Sequence, residues 1–241
     1  QLSFFFLICK ALRASRKCQR DCHPTPFYID SNLLPYSDTV VDLGIIVDRD
    51  LKFSAHISHM VHKANGRANL LLKCFLSRDT ETLIKAFTVY IRPMLEYSSP
   101  VWSPHLVKDI QLIENVQRKF TKRLNGLCGL SYQQRLQTVG LERLETRRLR
   151  ADLVLTYKLI FGLTRLSFND FFRFSPNVNT RGHRYKLAIQ RTYSDTRKYF
   201  FSVKIASVWN SLPSTLNFSS LNKFKREIFM LNLDKHCIDL H

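Results

Sequence analysis

The chain has 241 residues, is 45% hydrophobic and holds only 7 Gly and 8 Pro, a composition that excludes a disordered tail and allows one large or two small domains. Its formal net charge is +18, and residues 51–200 carry 26 basic against 10 acidic side chains, whereas residues 1–50 are balanced at six of each. A surplus on that scale favours a polyanionic partner, with nucleic acid first and an anionic membrane surface as its rival.

Residues 1–25 show no legible pattern. Phe27-Tyr28-Ile29 and the run from Val40 to Val47 are rich in β-branched and aromatic residues, with turn residues at 30–32 and 35–38 between them. They predict the two strands of a β-hairpin, and Gly44 within the second predicts a bulge or a close backbone approach. The period then changes. Behind Ser54 as N-cap, Ile57, Val61, Ala64, Ala68, Leu71 and Phe75 form one stripe of a helix over 55–76. Asp79 or Thr80 opens a second helix, which Pro93 breaks or restarts.

Residues 106–127 predict the clearest helix. Ile110, Ile113, Val116, Phe120, Leu124 and Leu127 lie on one side, and Gln111, Asn115, Arg118, Lys119 and Lys122 on the other. A short helix follows over 131–139 and a long one over 141–162. The first half of that long helix carries Arg143, Arg147 and Arg150 at i, i+4, i+7, and its second half is apolar nearly all round. Residues 163–199 mix aromatics with loop-forming stretches, 200–210 is helical, and 220–233 is a final amphipathic helix bearing Phe224, Ile228 and Leu231.

Six cysteines are scattered without a framework spacing, and no secretory signal is present, so reduced thiols in an intracellular chain are expected. The apolar run 2–9 is too short for a membrane span and lacks the flanks of a signal peptide. The start at Gln1 leads us to expect a fragment.

A two-metal polymerase needs carboxylates converging on ions about 4 Å apart, usually including an Asp-Asp turn. No Asp-Asp pair occurs in the chain; Asp48 and Asp50 come nearest and read as a solvated strand end, so catalysis by this chain is not expected. His56, His59 and His62, spaced by three, sweep too far round a helix to share one ion. Cys18, Cys22 and His23 have partial ligand spacing without a second pair at finger distance. No metal site is assigned. The phosphate-contacting candidates are Arg118, Lys119 and Lys122 on one helix and Arg143, Arg147 and Arg150 on another. Asp109, Glu114, Glu142 and Glu145 do not balance the ten Lys and Arg of residues 101–150. Thr180-Arg181-Gly182-His183, with Arg184 and Lys186, is a further phosphate contact or a plain turn. Tyr199, Phe200, Phe201 and Trp209 are core aromatics or base-stacking platforms.

Seven motifs stand in order along 27–233: Asp42-Leu43-Gly44-Ile45; Leu51-Lys52-Phe53 with His56-Ile57; Arg92-Pro93-x-Leu95-Glu96-Tyr97 with Val101-Trp102-x-Pro104; Ile113-Glu114-x-Val116-Gln117-Arg118; Leu144-Glu145-x-Arg147-Arg148-x-Arg150-x-Asp152-Leu153; Thr180-Arg181-Gly182-His183; and Trp209-Asn210-x-Leu212-Pro213. The series resembles the end of the reverse transcriptase of jockey-like LINE (non-LTR) retrotransposons, past the catalytic palm. That resemblance implies a primer-grip hairpin followed by a helical thumb and a C-terminal extension. It implies a parent RNA-directed DNA polymerase that uses magnesium and carries a separate endonuclease domain.

The expected fold is therefore mainly α, a helical thumb-like bundle with an N-terminal β-hairpin remnant of the palm. The expected regions are 1–25 without clear structure, 26–53 as the hairpin, 54–139 as the thumb and 140–241 as the basic extension. The expected partner is RNA and DNA, gripped along the backbone of an RNA–DNA duplex, with no cofactor in this fragment and no membrane. The rival expectation is a protein-interaction or structural role for 199–209 and the last helix, or a relic product without a role.

Overall fold

A computed structural model describes residues 12, 26–29, 31–176, 182–193 and 195–237, without the side chains of 195 and 196. The chain is mainly helical with two small antiparallel hairpins near its N-terminus, and it divides into compact units at 1–59 and 60–241.

In the first unit, β1 (Tyr28–Ile29) pairs with β2 (Asn32–Leu33), and β3 (Thr39–Asp42) pairs with β4 (Ile45–Asp48) in the register Thr39↔Asp48 to Asp42↔Ile45. The single hairpin expected from 27–29 and 40–47 is thus two hairpins, and Gly44 is a turn rather than a bulge. Leu43 and Gly44 have φ of 45° and 82°, the double positive φ of the two-residue connection whose twist matches the flanking strands. Gly44→Ala is expected to cost about 1 kcal/mol, because a Cβ disfavours left-handed backbone. Faster hydrogen exchange at the amides of β3 and β4 is the readout.

Past β4 the carboxylate of Asp48 organises the turn into the first helix. Its Oδ1 accepts from the N–H of Asp50 and of Lys52, both at 3.0 Å, and its Oδ2 from Phe53 N–H at 2.6 Å. Leu51 and Phe53 are held there at φ of 54° and 59°. Asp50 pairs with Lys52 at 2.8 Å. His56 is buried, and its Nδ1 accepts from Ile46 N–H at 3.3 Å; burial and neighbouring His59 lower its pKa.

Helix α1 (Ser54–Cys74) begins at Ser54 itself, and its stripe Ile57, Val61, Ala64, Ala68 and Leu71 is buried as the period demands. Asp79 caps α2 (Thr80–Tyr90), accepting from Thr82 N–H at 2.8 Å. Pro93 restarts the chain as α3 (Arg92–Glu96), and α4 (Ser99–Trp102) follows. In α5 (Val107–Lys122) and the turns after it, all six predicted apolar positions are at most 5% exposed. The helix ends at Lys122, short of the expected 127. Ser131 and Gln134 form a capping box on α6 (Tyr132–Val139), which Gly140 closes at φ 65°.

Helix α7 (Leu144–Ile160) is the centre of the second unit, packing against α3, α4, α5, α10 (Phe201–Asn210) and α11 (Leu221–Met230). Two short helices, α8 (Phe168–Phe171) and α9 (Asp195–Lys198), lie between α7 and α10. The apolar half of α7 gives Leu153, Tyr157 and Leu159 to a core shared with Ile205, Trp209, Phe224 and Ile228. Each such side chain contributes roughly 1.5–3 kcal/mol by leaving water. Trp209 is fully buried and Phe201 nearly so, which makes them core rather than stacking platforms.

Candidate nucleic-acid interface

Arg147 and Arg150 of the predicted row lie on α7, which starts at Leu144 rather than 141 and so leaves Arg143 as its N-cap, and acids from inside the chain close the row. Arg147 donates through Nε and Nη2 to both carboxylate oxygens of Glu96, the Nη2 bond measuring 3.2 Å. That fork raises the Arg147 pKa. Arg150 pairs with Glu142 at 2.9 Å and donates to the carbonyls of Phe229 (2.7 Å) and Leu231 (3.0 Å), fastening the end of α11. Arg143 pairs with Glu145 at 3.0 Å. The expectation that acids are too few here is corrected locally: Glu142 and Glu145 match two arginines, and Glu96, 51 residues away from Arg147, matches the third.

Beneath the row lies a buried polar core. Glu114, 1% exposed, accepts from the Tyr132 hydroxyl and from Leu144 N–H at 3.0 Å, so its carboxylate sits on the N-terminus of α7 where the helix dipole favours it. Burial pushes its pKa up, against the Tyr132 hydroxyl and the charges of Arg148 and Arg143. Gln117 donates to the Tyr132 hydroxyl at 3.0 Å and to the Glu142 carbonyl at 2.9 Å. Arg148 is 3% exposed among Glu114, Glu145, Asp152 and Glu96. Asp152, 2% exposed, has its carboxyl pushed up to about 6 by burial, opposed by Lys204 and Arg148.

Arg118 and Arg135 lie over the ring of Tyr132, 4.9 and 5.6 Å from its centroid. With Arg143 and Arg150 they line a cleft of about 760 Å³ that Glu114, Glu142 and Asp234 also line. Four cations against three acids make it close to neutral, so it is a poor trap for an anion.

Lys119 and Lys122 are exposed on the outer side of α5. Arg184 is exposed, donating to the Tyr185 hydroxyl at 2.7 Å, and Lys186 is half-buried with its side chain over Gly182. Arg181 lies outside the described residues, as do Cys18, Cys22 and His23. His183, read as part of a phosphate loop or turn, is buried; its Nε2 is 2.8 Å from the Trp209 carbonyl. Asn210 bonds both N–H and C=O of Leu187 at 2.8 Å. The motifs therefore meet in pairs: His183 with Trp209-Asn210, Glu96 with Arg147, and Glu114 with Leu144. Among the described residues no three His, Cys, Asp or Glu side chains are grouped to hold a metal ion, and no helix is long and apolar enough to cross a membrane.

These features define a helical, strongly basic protein whose helices are locked by a buried ionic core and whose free cations lie at its helical edges. The chain is 24% identical over 106 residues to a "probable RNA-directed DNA polymerase from transposon X-element" of Drosophila melanogaster, a match covering 43% of this chain and 12% of that one. It is 28% identical over 126 residues to an uncharacterized protein of Caenorhabditis elegans, covering 51% of this chain and 64% of that one. The chain is thus related in part to a transposon reverse transcriptase, and it spans only a fraction of that relative's length. No family model matches, and neither does any solved structure.

Proposed function

We propose that the chain is the post-palm part of the reverse transcriptase of a jockey-like LINE retrotransposon, and that it holds the backbone of an RNA–DNA duplex without itself catalysing synthesis. In this proposal 26–53 is the primer-grip hairpin, 54–139 the thumb and 140–241 its extension, and magnesium belongs to the parent polymerase. The observation that carries it is the partial likeness to a transposon polymerase in a chain whose surplus of 16 positive charges lies in residues 51–200. Lys119, Lys122 and Arg184 make phosphate contacts. Arg143, Arg147 and Arg150 act indirectly, by tying the start of α7 to α3 and to the end of α11.

The test is a salt titration of hybrid binding. Each phosphate contact contributes about −0.9 to the slope of log affinity against log salt. Lys119→Ala and Lys122→Ala are each expected to flatten the slope by about one, equally for unrelated sequences. Arg147→Ala is expected to lose about 1 kcal/mol of stability and leave the slope unchanged. A flat titration of the parent chain defeats the proposal.

A protein-binding role has one observation in its favour: Phe229 and Met230 on α11 are 56% and 82% exposed. Capture of a partner that survives nuclease treatment, with no hybrid binding, selects that alternative.

A further inference from the structure

The outer face of α1 is cationic and has a gap at its centre. From Phe53 to Arg78 the chain contains no Asp or Glu, and neither does the stretch from Asn115 to Leu141 that holds the second half of α5. On α1, Lys63, Arg67, Asn69, Leu70 and Lys73 are all exposed, and so is Gly66 in their midst. Arg123 donates to Asn69 Oδ1, which sets the end of α5, with Lys119 one turn earlier, beside this face. One basic surface therefore runs across both helices.

Gly66 is unexplained by the fold. It lies well inside a helix of 21 residues, its φ is not positive, and a Cβ built on it meets nothing within 4 Å. Glycine is the least favourable residue in a helix interior after proline, and nothing among the described residues occupies the space it leaves. Its absent side chain serves something outside: a backbone or ligand that must come close to the helix. The charge around it says what kind. Lys63 and Arg67 flank the gap, Lys73 and Lys119 extend the surface, α1 holds no acid, and the two acids of α5, Asp109 and Glu114, are buried. That is the charge complement of a sugar-phosphate strand.

We propose that Gly66 is the point of closest approach between α1 and a nucleic-acid backbone, with Lys63 and Arg67 clamping the phosphates on either side. This rests on the duplex-holding function proposed above and names where that contact is tightest.

The experiment compares the parent chain with Gly66→Ala and Gly66→Leu, measuring thermal melting and binding to a labelled RNA–DNA hybrid across a salt series. Both substitutions are expected to raise the melting temperature by about 2–4 °C, since both improve helix propensity. Gly66→Leu is expected to weaken hybrid binding by about tenfold or more at each salt concentration, the scale of one lost close contact, with its slope unchanged. Lys63→Ala and Arg67→Ala should each flatten the slope by about one. A Gly66→Leu variant that melts higher and binds the hybrid as tightly as the parent overturns the close-approach site while leaving duplex holding intact. A parent chain that shows no salt-dependent hybrid binding removes the duplex function itself. If Gly66→Leu abolishes binding to anionic lipid vesicles but not to the hybrid, the face belongs to a membrane and the inference is wrong.

Discussion

Glu114→Ala is expected to lower stability by about 3–5 kcal/mol, as much as truncating a fully buried aromatic side chain. Three consequences combine. The Leu144 N–H at the start of α7 loses its acceptor, and helix caps of this kind are worth about 1 kcal/mol. The Tyr132 hydroxyl, which receives from Gln117 and donates to Glu114, is left buried with an unmet donor. Arg148, 3% exposed, loses its foremost electrostatic partner and keeps a charge that burial already penalises. Urea denaturation with an unchanged m-value should show the loss, along with a fall in melting temperature of about 10 °C. Tyr132→Phe, which removes one hydrogen bond and no charge, should cost roughly 1 kcal/mol. A loss below that for Glu114→Ala would mean the ionic core does not hold the helices together.

The second large effect is a pH dependence of uncommon sign. The Asp152 carboxyl titrates near 6 in the folded chain against 3.8 when unconstrained, so the folded state binds its proton more tightly than the unfolded state does. Its contribution is therefore absent below about pH 4, grows as pH rises, and is a full cost above about pH 6. The rise from 3.8 to about 6 corresponds to about 3 kcal/mol. Asp152→Asn resembles the protonated form: it should match the parent chain near pH 4 and exceed its stability by about 3 kcal/mol at pH 7. Lys204 and Arg148 oppose the upward shift, so the difference between the two chains carries their attraction to the carboxylate together with the cost of burying it. Stability curves that run parallel from pH 4 to pH 7 would exclude this account.

Both predictions fall on residues that periodicity did not single out. Glu114 belongs to a motif, yet nothing local marks it as a cap for a helix starting 30 residues later. Arg147 shows the same limit. Its spacing from Arg143 and Arg150 placed it correctly along one helix, but its partner Glu96 lies on α3. Charge counting over a window of 50 residues predicts a bare cationic row where the folded chain has a matched one. Gly44 is a local failure of another kind. Either a bulge or a turn fits one glycine in an apolar run, and the register of β3 against β4 decides between them.

The sequence by itself determined the longer helices and their apolar stripes, because burial every three to four residues and capping chemistry act over one or two turns, whereas the four-residue helices α4, α8 and α9 carry no such period. It also determined the charge surplus and the absence of an Asp-Asp pair. Only the tertiary structure decided which cations are open. Lys119 and Lys122 face solvent while Arg143, Arg147 and Arg150 are engaged by acids and carbonyls, since pairing depends on which helix faces meet, and packing sets that rather than spacing.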